Sequence, residues 1–233
     1  MKIRIIIPNT SPAFFNANAP VRQTLATDDM QISVVNLTRG PASIEGGYDD
    51  VFAGPGVLEQ AAIAEREGFD AIVLDCASDP ALRACRELVS IPVVGAGEAS
   101  HLAACMLCNK FSIITALPVS SILIGENIEK YGLRQRVASL RCANVPVLDL
   151  EDEEKAEKKI LLAAKAAIEH DGAEAILLGC TGMIAMRMRL EEPLGVPVIE
   201  PITAGVHMAA SLVRMGLRHS KIAYETPTEK IRT

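Results

Sequence analysis

Apolar residues fall into short β-branched runs separated by longer stretches with helical spacing. Lys2–Ile7, Ile32–Val35, Ala71–Leu74, Pro92–Val94, Phe111–Thr115, Ala138–Arg141, Ala175–Leu178 and Pro197–Ile199 read as buried strands. Between several of them lie amphipathic stretches bounded by capping residues. One is predicted to open at Pro55 and close near Gly68. The next is predicted to open at Asp79-Pro80, as N-cap and first helical residue. Another starts at Glu151-Asp152-Glu153-Glu154, with Lys155, Lys158, Lys159 and Lys165 following, so its acidic end matches the helix dipole and His170 complements the far end. Such alternation predicts an α/β fold with mostly parallel sheets flanked by helices. The stretch from Asn36 to Gly54 is long for a connection; it reads as a lid or substrate-contacting loop, or as connecting structure that includes part of a helix.

A repeat organises these elements. Gly68-Phe69-Asp70-Ala71-Ile72-Val73-Leu74-Asp75-Cys76 aligns with Gly172-Ala173-Glu174-Ala175-Ile176-Leu177-Leu178-Gly179-Cys180 at a constant offset of 104 positions. Ile91-Pro92-Val93-Val94 then matches Val196-Pro197-Val198-Ile199, and His101-Leu102-Ala103-Ala104 matches His207-Met208-Ala209-Ala210. Lys2–Ile7 and Lys110–Thr115 each place a strand at the start of a half. The pattern predicts two pseudo-symmetric lobes around a cleft that holds the active site. Residues 1–96 with 204–233 form the first lobe and residues 97–203 the second, the last helix, around Thr203–Gly216, returning to the first. His101 and His207, at matched helical positions, are expected to pack between lobes.

Composition narrows the partners. The 233 residues are 49% hydrophobic and 22% charged, ordinary for a compact soluble protein. A net charge of −6, with short basic pieces such as Arg134/Arg136 and Arg187/Arg189, argues against nucleic acid. With five Phe, three Tyr and no Trp, there is little to stack on a base or a large aryl group. The N-terminal apolar run, Ile5-Ile6-Ile7, stops at Pro8, too short for a secretory signal, and no stretch reads as a membrane span. The expected location is cytoplasmic, with reduced thiols.

Two of the six cysteines stand out by repeat position. Cys76 and Cys180 each end a buried strand just before a helix, and ligands of open α/β sheets bind outside the carboxyl ends of strands. A helix start there is expected to lower the thiol pKa. Thiols on opposite sides of one cleft suit removal of a proton from one face of a carbon and return of one to the other. Cys85, Cys142 and the pair in Cys105-Met106-Leu107-Cys108 lack that position and read as packing. The CxxC spacing has no second pair and no His at ligand spacing, so no metal is expected.

With these segments in view, the chain resembles the Asp/Glu/hydantoin racemase superfamily, more closely its hydantoin racemase branch, over nearly its full length. The resemblance is carried by Pro8-Asn9-Thr10-Ser11, Gly40-Pro41-Ala42-Ser43-Ile44-Glu45, the Cys76 segment with Asp79-Pro80, and Pro92-Val93-Val94-Gly95 with Glu98-Ala99. Gly179-Cys180-Thr181-Gly182-Met183 and Gly216-Leu217-Arg218 with Ser220-Lys221 complete it. It implies a cofactor-independent racemase, an expected homo-oligomer, acting on a small molecule. Cys76 and Cys180 would be its acid–base pair. Asn9, Thr10, Ser11, Ser78, Thr115, Thr181 and Gly182 would hold the substrate and its enolate-like charge. For Asn9, Ser78 and Thr181 the local reading is turn formation or N-capping, which can coexist with that role.

Departures from the family pattern bear on the substrate. Ala77-Ser78 stands where hydantoin racemases usually carry Phe-Gly, and Thr181 where they commonly have Ala. Gly-Cys-Thr is nearer the glutamate and aspartate racemases, yet Gly182 replaces their His and Asn9 their acidic residue. The resulting expectation is a 5-substituted hydantoin or related ureide such as allantoin, with a small polar or aliphatic substituent. An aspartate/glutamate-type racemase, a maleate isomerase-like enzyme using one cysteine as nucleophile, and a two-lobed small-molecule binding protein remain open. Both cysteines being present argues against an arylmalonate decarboxylase, which keeps only the second.

Overall fold

Ile3, Ile5, Ile6 and Ile7 have no exposed surface, as a parallel strand covered on both faces requires. In the computed structural model, which describes residues 1–145 and 153–230, they lie on β1 (Lys2–Ile7), an inner strand of the first sheet. β2 (Gln31–Asn36) and β3 (Ala71–Leu74) flank it, and β4 (Val93–Gly95) lies beyond β3. The second sheet has the same order, with β5 (Phe111–Thr115) between β6 (Val137–Cys142) and β7 (Ala175–Leu178), and β8 (Val198–Ile199) beyond β7. All strand pairings within the sheets are parallel. Each of the eight predicted strands is found, with ends displaced by at most one residue.

The repeat extends to individual hydrogen bonds. Asp70 N–H donates to Lys2 O at 2.8 Å, and Glu174 N–H to Lys110 O at 2.9 Å. Ile72 N–H meets Pro92 O, and Ile176 N–H meets Pro197 O, both at 2.9 Å. Asp75 N–H donates to Ile6 O and Gly179 N–H to Ile114 O, which ties the residue before each cysteine to the neighbouring inner strand. Even side chains repeat: Arg86 Nε donates to Val93 O at 3.1 Å, and Arg187 Nε to Val198 O at 2.9 Å.

Helices cover the sheets: α1 (Pro12–Gln23), α2 (Gly47–Arg66), α3 (Leu82–Leu88), α4 (Ala96–Leu107), α5 (Pro118–Lys130), α6 (Glu153–Asp171), α7 (Arg187–Leu194) and α8 (Pro201–Arg214). Of the acidic start expected for α6, Glu151 and Asp152 lie outside the described residues. α8 follows the second sheet but packs on the first, where Ile202, Val206, Ala209 and Ala210 meet Ile3, Ile5, Val73 and Val94. α4 joins the halves: Ala99 is buried with the first sheet and Ala104 with Phe111, Ile113 and Leu177 of the second. Among the described residues no helix is long and apolar enough to cross a membrane.

Three sequence expectations are corrected. α2 begins at Gly47, not Pro55, so the segment 36–54 is partly helix. Pro55 forfeits one backbone hydrogen bond, at a cost of about 3 kcal/mol. Ala53, Val57, Ala61 and Ala64, spaced on one face and fully buried, outweigh that cost. Secondly, Asp79 does not cap α3. Asp79 and Ala81 have φ of 54° and 56°, and α3 starts only at Leu82. The Asp79 carboxylate instead caps α4, accepting from Gly97 N–H at 2.9 Å and Glu98 N–H at 2.7 Å. Lastly, His207 is exposed, whereas His101 is buried edge-on to Phe111 and Tyr131. Only His101 packs between the halves.

Candidate active site

The switch in strand order falls between β1 and β3 in one sheet and between β5 and β7 in the other, the usual place for a ligand. Cys76 emerges past the end of β3 and Cys180 past the end of β7. The structure brings both to one cavity of about 40 Å³, the space of a few water molecules. Cys76, Ala77 and Ser78 line it from the first half, and Gly179, Cys180 and Thr181 from the second. Ile44 and Glu45, just ahead of α2, close one side; Ala116, Ser120 and Leu123 close another. Ser120 Oγ donates to Glu45 O at 3.3 Å, tying these two walls together.

The backbone amides two residues further on, Ser78 for Cys76 and Gly182 for Cys180, each favour the ionised thiol. That is the same local turn used twice. Burial nevertheless dominates: it pushes the Cys76 thiol up to about 12 and the Cys180 thiol up to about 11. The expected lowering by a helix start is therefore not what the folded chain shows. After Cys76 the chain turns through Asp79 and Ala81 before α3 begins, and after Cys180 it makes a short 3-10 segment, Thr181–Met186, before α7. Neither thiol sits directly at the start of a long α-helix.

The ground beneath the thiols is charged. Arg22 of α1 has no exposed side-chain surface, and neither has Asp75, the residue before Cys76. Arg22 Nε donates to Asp75 Oδ2 at 2.9 Å, Nη1 to Asn18 Oδ1 at 2.7 Å and Nη2 across the halves to Thr181 O at 2.8 Å. The positive charge of Arg22 pulls the Cys180 thiol back down, against burial and the charges of Asp75 and Glu200. Glu200 caps α8 through Ile202 and Thr203 N–H, and burial raises its carboxyl to about 7.

The remaining expected contacts divide. Ser78 and Thr181 line the cavity; Asn9, Thr10, Ser11, Thr115 and Gly182 do not. Asn9 Oδ1 accepts from Ser11 N–H, Thr10 Oγ1 donates to Pro41 O, and Ser11 Oγ caps α1 at Phe14 N–H. These three build the turn after β1. Thr115 is fully buried, its hydroxyl 2.7 Å from Ser121 Oγ. Gly182 serves through its N–H on Cys180. Cys85 is buried in the core, and Cys108, just past the end of α4, donates back to Ala104 O. Among the described residues no cluster of His, Cys, Asp or Glu has the makings of a metal site.

Sequence reasoning passed over Arg22, Asp75, Glu200 and Asp50, whose carboxylate reaches Ser78 from α2. Two signals were available. Asp75 breaks the repeat against Gly179, and Glu200 stands before a proline at a helix start. Asp50 was hidden by placing the start of α2 at Pro55, and nothing in the local pattern marks Arg22.

Comparison with known proteins agrees with this architecture. A family model described as Asp/Glu/Hydantoin racemase matches residues 3–209. A hydantoin racemase of Pseudomonas sp. (strain NS671) is 41% identical over 232 residues, 99% of this chain and 93% of that protein. The solved structure of an allantoin racemase from Klebsiella pneumoniae superposes with a TM-score of 0.95 at 37% identity, covering 100% of this chain and 96% of that one. Allantoin racemase from Pseudomonas fluorescens gives a TM-score of 0.95 at 33% identity, with both chains covered in full. The chain belongs to the Asp/Glu/Hydantoin racemase family and, with hydantoin and allantoin racemases at 33–41% identity over its full length, is a racemase.

Proposed function

We propose that the protein inverts, without a cofactor, the ring stereocentre of a hydantoin-type ureide, with Cys76 and Cys180 as its two acid–base groups and allantoin as the first substrate to test. The observation that carries this reading is the meeting of two repeat-related thiols at one cavity, each from its own half. One cysteine, as thiolate, takes the proton from the carbon α to the carbonyl. The other, as thiol, returns a proton from the opposite face. The enzyme is left with the two thiol states exchanged. Charge that gathers on the carbonyl oxygen in between is met by backbone N–H groups of the turns that follow the two cysteines.

The lining also speaks to substrate class. Among the cavity residues the only charged side chain is Glu45, an acid. No cation lines the cavity to receive the α-carboxylate of aspartate or glutamate. An uncharged ring imide needs none, and its stereocentre is more acidic than that of an amino-acid zwitterion. The names of the hydantoin and allantoin racemases at 33–41% identity favour the same class.

The test follows optical rotation over a panel of hydantoins, allantoin, aspartate, glutamate and maleate, for the wild type, Cys76→Ser and Cys180→Ser. Racemisation of a ureide by the wild type and its loss in both variants is expected. Each variant should still exchange the α-proton of one enantiomer with deuterated water. Full racemisation by either single variant would refute the two-thiol mechanism, and turnover confined to an amino acid would refute the substrate class.

A further inference from the structure

The two thiols occupy matched positions in unmatched surroundings. Two residues after Cys180 the repeat has Gly182; two residues after Cys76 it has Ser78. That hydroxyl is held on its far side by α2. Ser78 Oγ donates to Asp50 Oδ1 at 2.7 Å, and Cys76 Sγ lies 3.3 Å from the same Oγ. Asp50 sits in the first turn of α2, its N–H on Gly46 O, so the carboxylate is aimed by the helix start itself.

A serine hydroxyl has one hydrogen and two lone pairs. While that hydrogen is given to an ionised Asp50, Ser78 offers Cys76 only lone pairs. The sulfur–oxygen contact is then made by the thiol S–H donating to Ser78 Oγ. A thiolate in its place would face oxygen lone pairs with a carboxylate behind them.

Resting on the two-thiol reading above, we propose that Asp50 is a positioning residue that acts through Ser78 to keep Cys76 protonated in the free enzyme. Cys180 is then the thiol that supplies the thiolate, and Cys76 the one that donates the first proton. The charges around the two groups run the same way. Burial raises the Cys76 thiol against the hydroxyl and N–H of Ser78, and the charges of Cys180 and then Asp50 add to the rise, whereas Arg22 lowers the Cys180 thiol against burial, Asp75 and Glu200. Lys130 and Glu126 of α5 face Asp50 with opposite signs. Burial raises the Asp50 carboxyl above its usual range and the Ser78 hydroxyl draws it back, so the arrangement holds at pH values above the Asp50 titration.

The experiment measures iodoacetamide alkylation of each cysteine against pH, resolved by peptide mass spectrometry. In the wild type the Cys76 midpoint is expected above that of Cys180. Asp50→Asn removes the carboxylate charge behind Ser78 and, with its amide NH2 turned to Ser78 Oγ, frees the hydroxyl hydrogen for the sulfur. This should lower the Cys76 midpoint by about one unit, roughly a tenfold gain in rate below it, with Cys180 moved by less than about twofold. Asp50→Ala should act in the same direction. In a Ser78→Ala background the Asp50→Asn change should move Cys76 by less than about threefold.

A wild-type Cys76 midpoint at or below that of Cys180 overturns the proposal without any variant. An unmoved midpoint in Asp50→Asn, or an undiminished shift without Ser78, overturns it as well. A structural defect would move both cysteines together. Alkylation reports thiol ionisation without requiring turnover. The two-thiol reading itself stands or falls separately, on racemisation by the Cys→Ser variants.

Discussion

Removing the charge of Arg22 probes the buried pair that joins α1 to both cysteine turns. Arg22→Met keeps much of the aliphatic volume and deletes the guanidinium. Asp75, 2% exposed, is left without its ionic partner, and the Thr181 carbonyl loses the donor that reaches it from the other half. Stranding one member of a fully buried pair costs about 3–5 kcal/mol. For a chain of this size, roughly 2–4 °C of melting temperature is lost per kcal/mol, so the variant should melt about 6–20 °C lower. Urea titration with linear extrapolation gives the free energy directly. The decisive comparison is the double variant Arg22→Met/Asp75→Leu. It strands no charge, so it should cost less than Arg22→Met alone, with a coupling energy of at least about 2 kcal/mol. A single variant within about 1 kcal/mol of wild type, or a double variant whose loss is the sum of the singles, would refute the view that this pair is electrostatically coupled.

Gly179→Ala should impair both stability and turnover. Its new Cβ would lie 2.9 Å from Ile114 O and 3.2 Å from Thr115 Cα, forcing β7 away from β5 beside Cys180, at about 1–3 kcal/mol in thermal melts and with loss of racemisation. Burial holds the Cys85 thiol up at about 12, so the folded state keeps a proton that the unfolded chain loses above its ordinary thiol pKa. The stability due to that burial is complete below the unfolded value and is lost as pH rises towards the folded one. Cys85→Ala should therefore flatten the alkaline limb of a stability–pH curve by up to about 1.4 kcal/mol per pH unit. Acid should release the C-terminal segment. Burial, then the nearby Arg86 charge, lowers His219 to about 4, while its Nε2 lies 2.8 Å from Val93 N and Lys221 Nζ binds the last carbonyls of α3. Its contribution is present above the ordinary histidine pKa and disappears as pH falls through about 4. Limited proteolysis between neutral and acid pH should show cleavage of residues 217–230 that His219→Ala already permits at neutrality.

The backbone of this protein is unusually legible because buried parallel strands are unbroken β-branched runs. Val93-Val94 and Val198-Ile199 announce themselves even at two or three residues. The spacing of the repeat singles out Cys76 and Cys180 because each stands two residues past the same inner strand of its sheet, β3 in one and β7 in the other. Helix starts were harder. Pro55 is a helix-start signal by propensity, yet tertiary burial of Ala53 and Val57 on either side carries α2 straight through it. Asp79 has the chemistry of a cap, but the cap it makes belongs to α4, eighteen residues further on. Contacts of that kind depend on where a chain returns in space. For the same reason no local pattern reveals that Arg22 underlies Cys180 or that Asp50 reaches Ser78. For the thiols, burial outweighs nearness to a helix start, and that burial arises only where the two halves meet.

A symmetric backbone carrying asymmetric side chains has a kinetic consequence for a racemase. Enantiomers have equal free energy in an achiral solvent, so kcat/KM must be the same in both directions whatever the protein does. Asp75 against Gly179, and Ser78 against Gly182, therefore cannot make one direction more efficient. They can only set which protonation state the free enzyme favours. On the proposed two-thiol mechanism, with Cys76 protonated at rest, the enantiomer whose α-proton faces Cys180 meets the favoured form; its mirror image meets a form reached only after a proton moves between thiols. Binding to a minor form weakens apparent affinity by the fraction populated. That enantiomer should show the higher KM and, by the equality of the ratios, a kcat higher by the same factor. Loss of the Asp50 charge should bring the two KM values and the two kcat values closer together, while the two kcat/KM values stay equal to each other. If Asp50→Asn left the KM ratio unchanged, the resting state would have to be set by something other than the Asp50–Ser78–Cys76 chain.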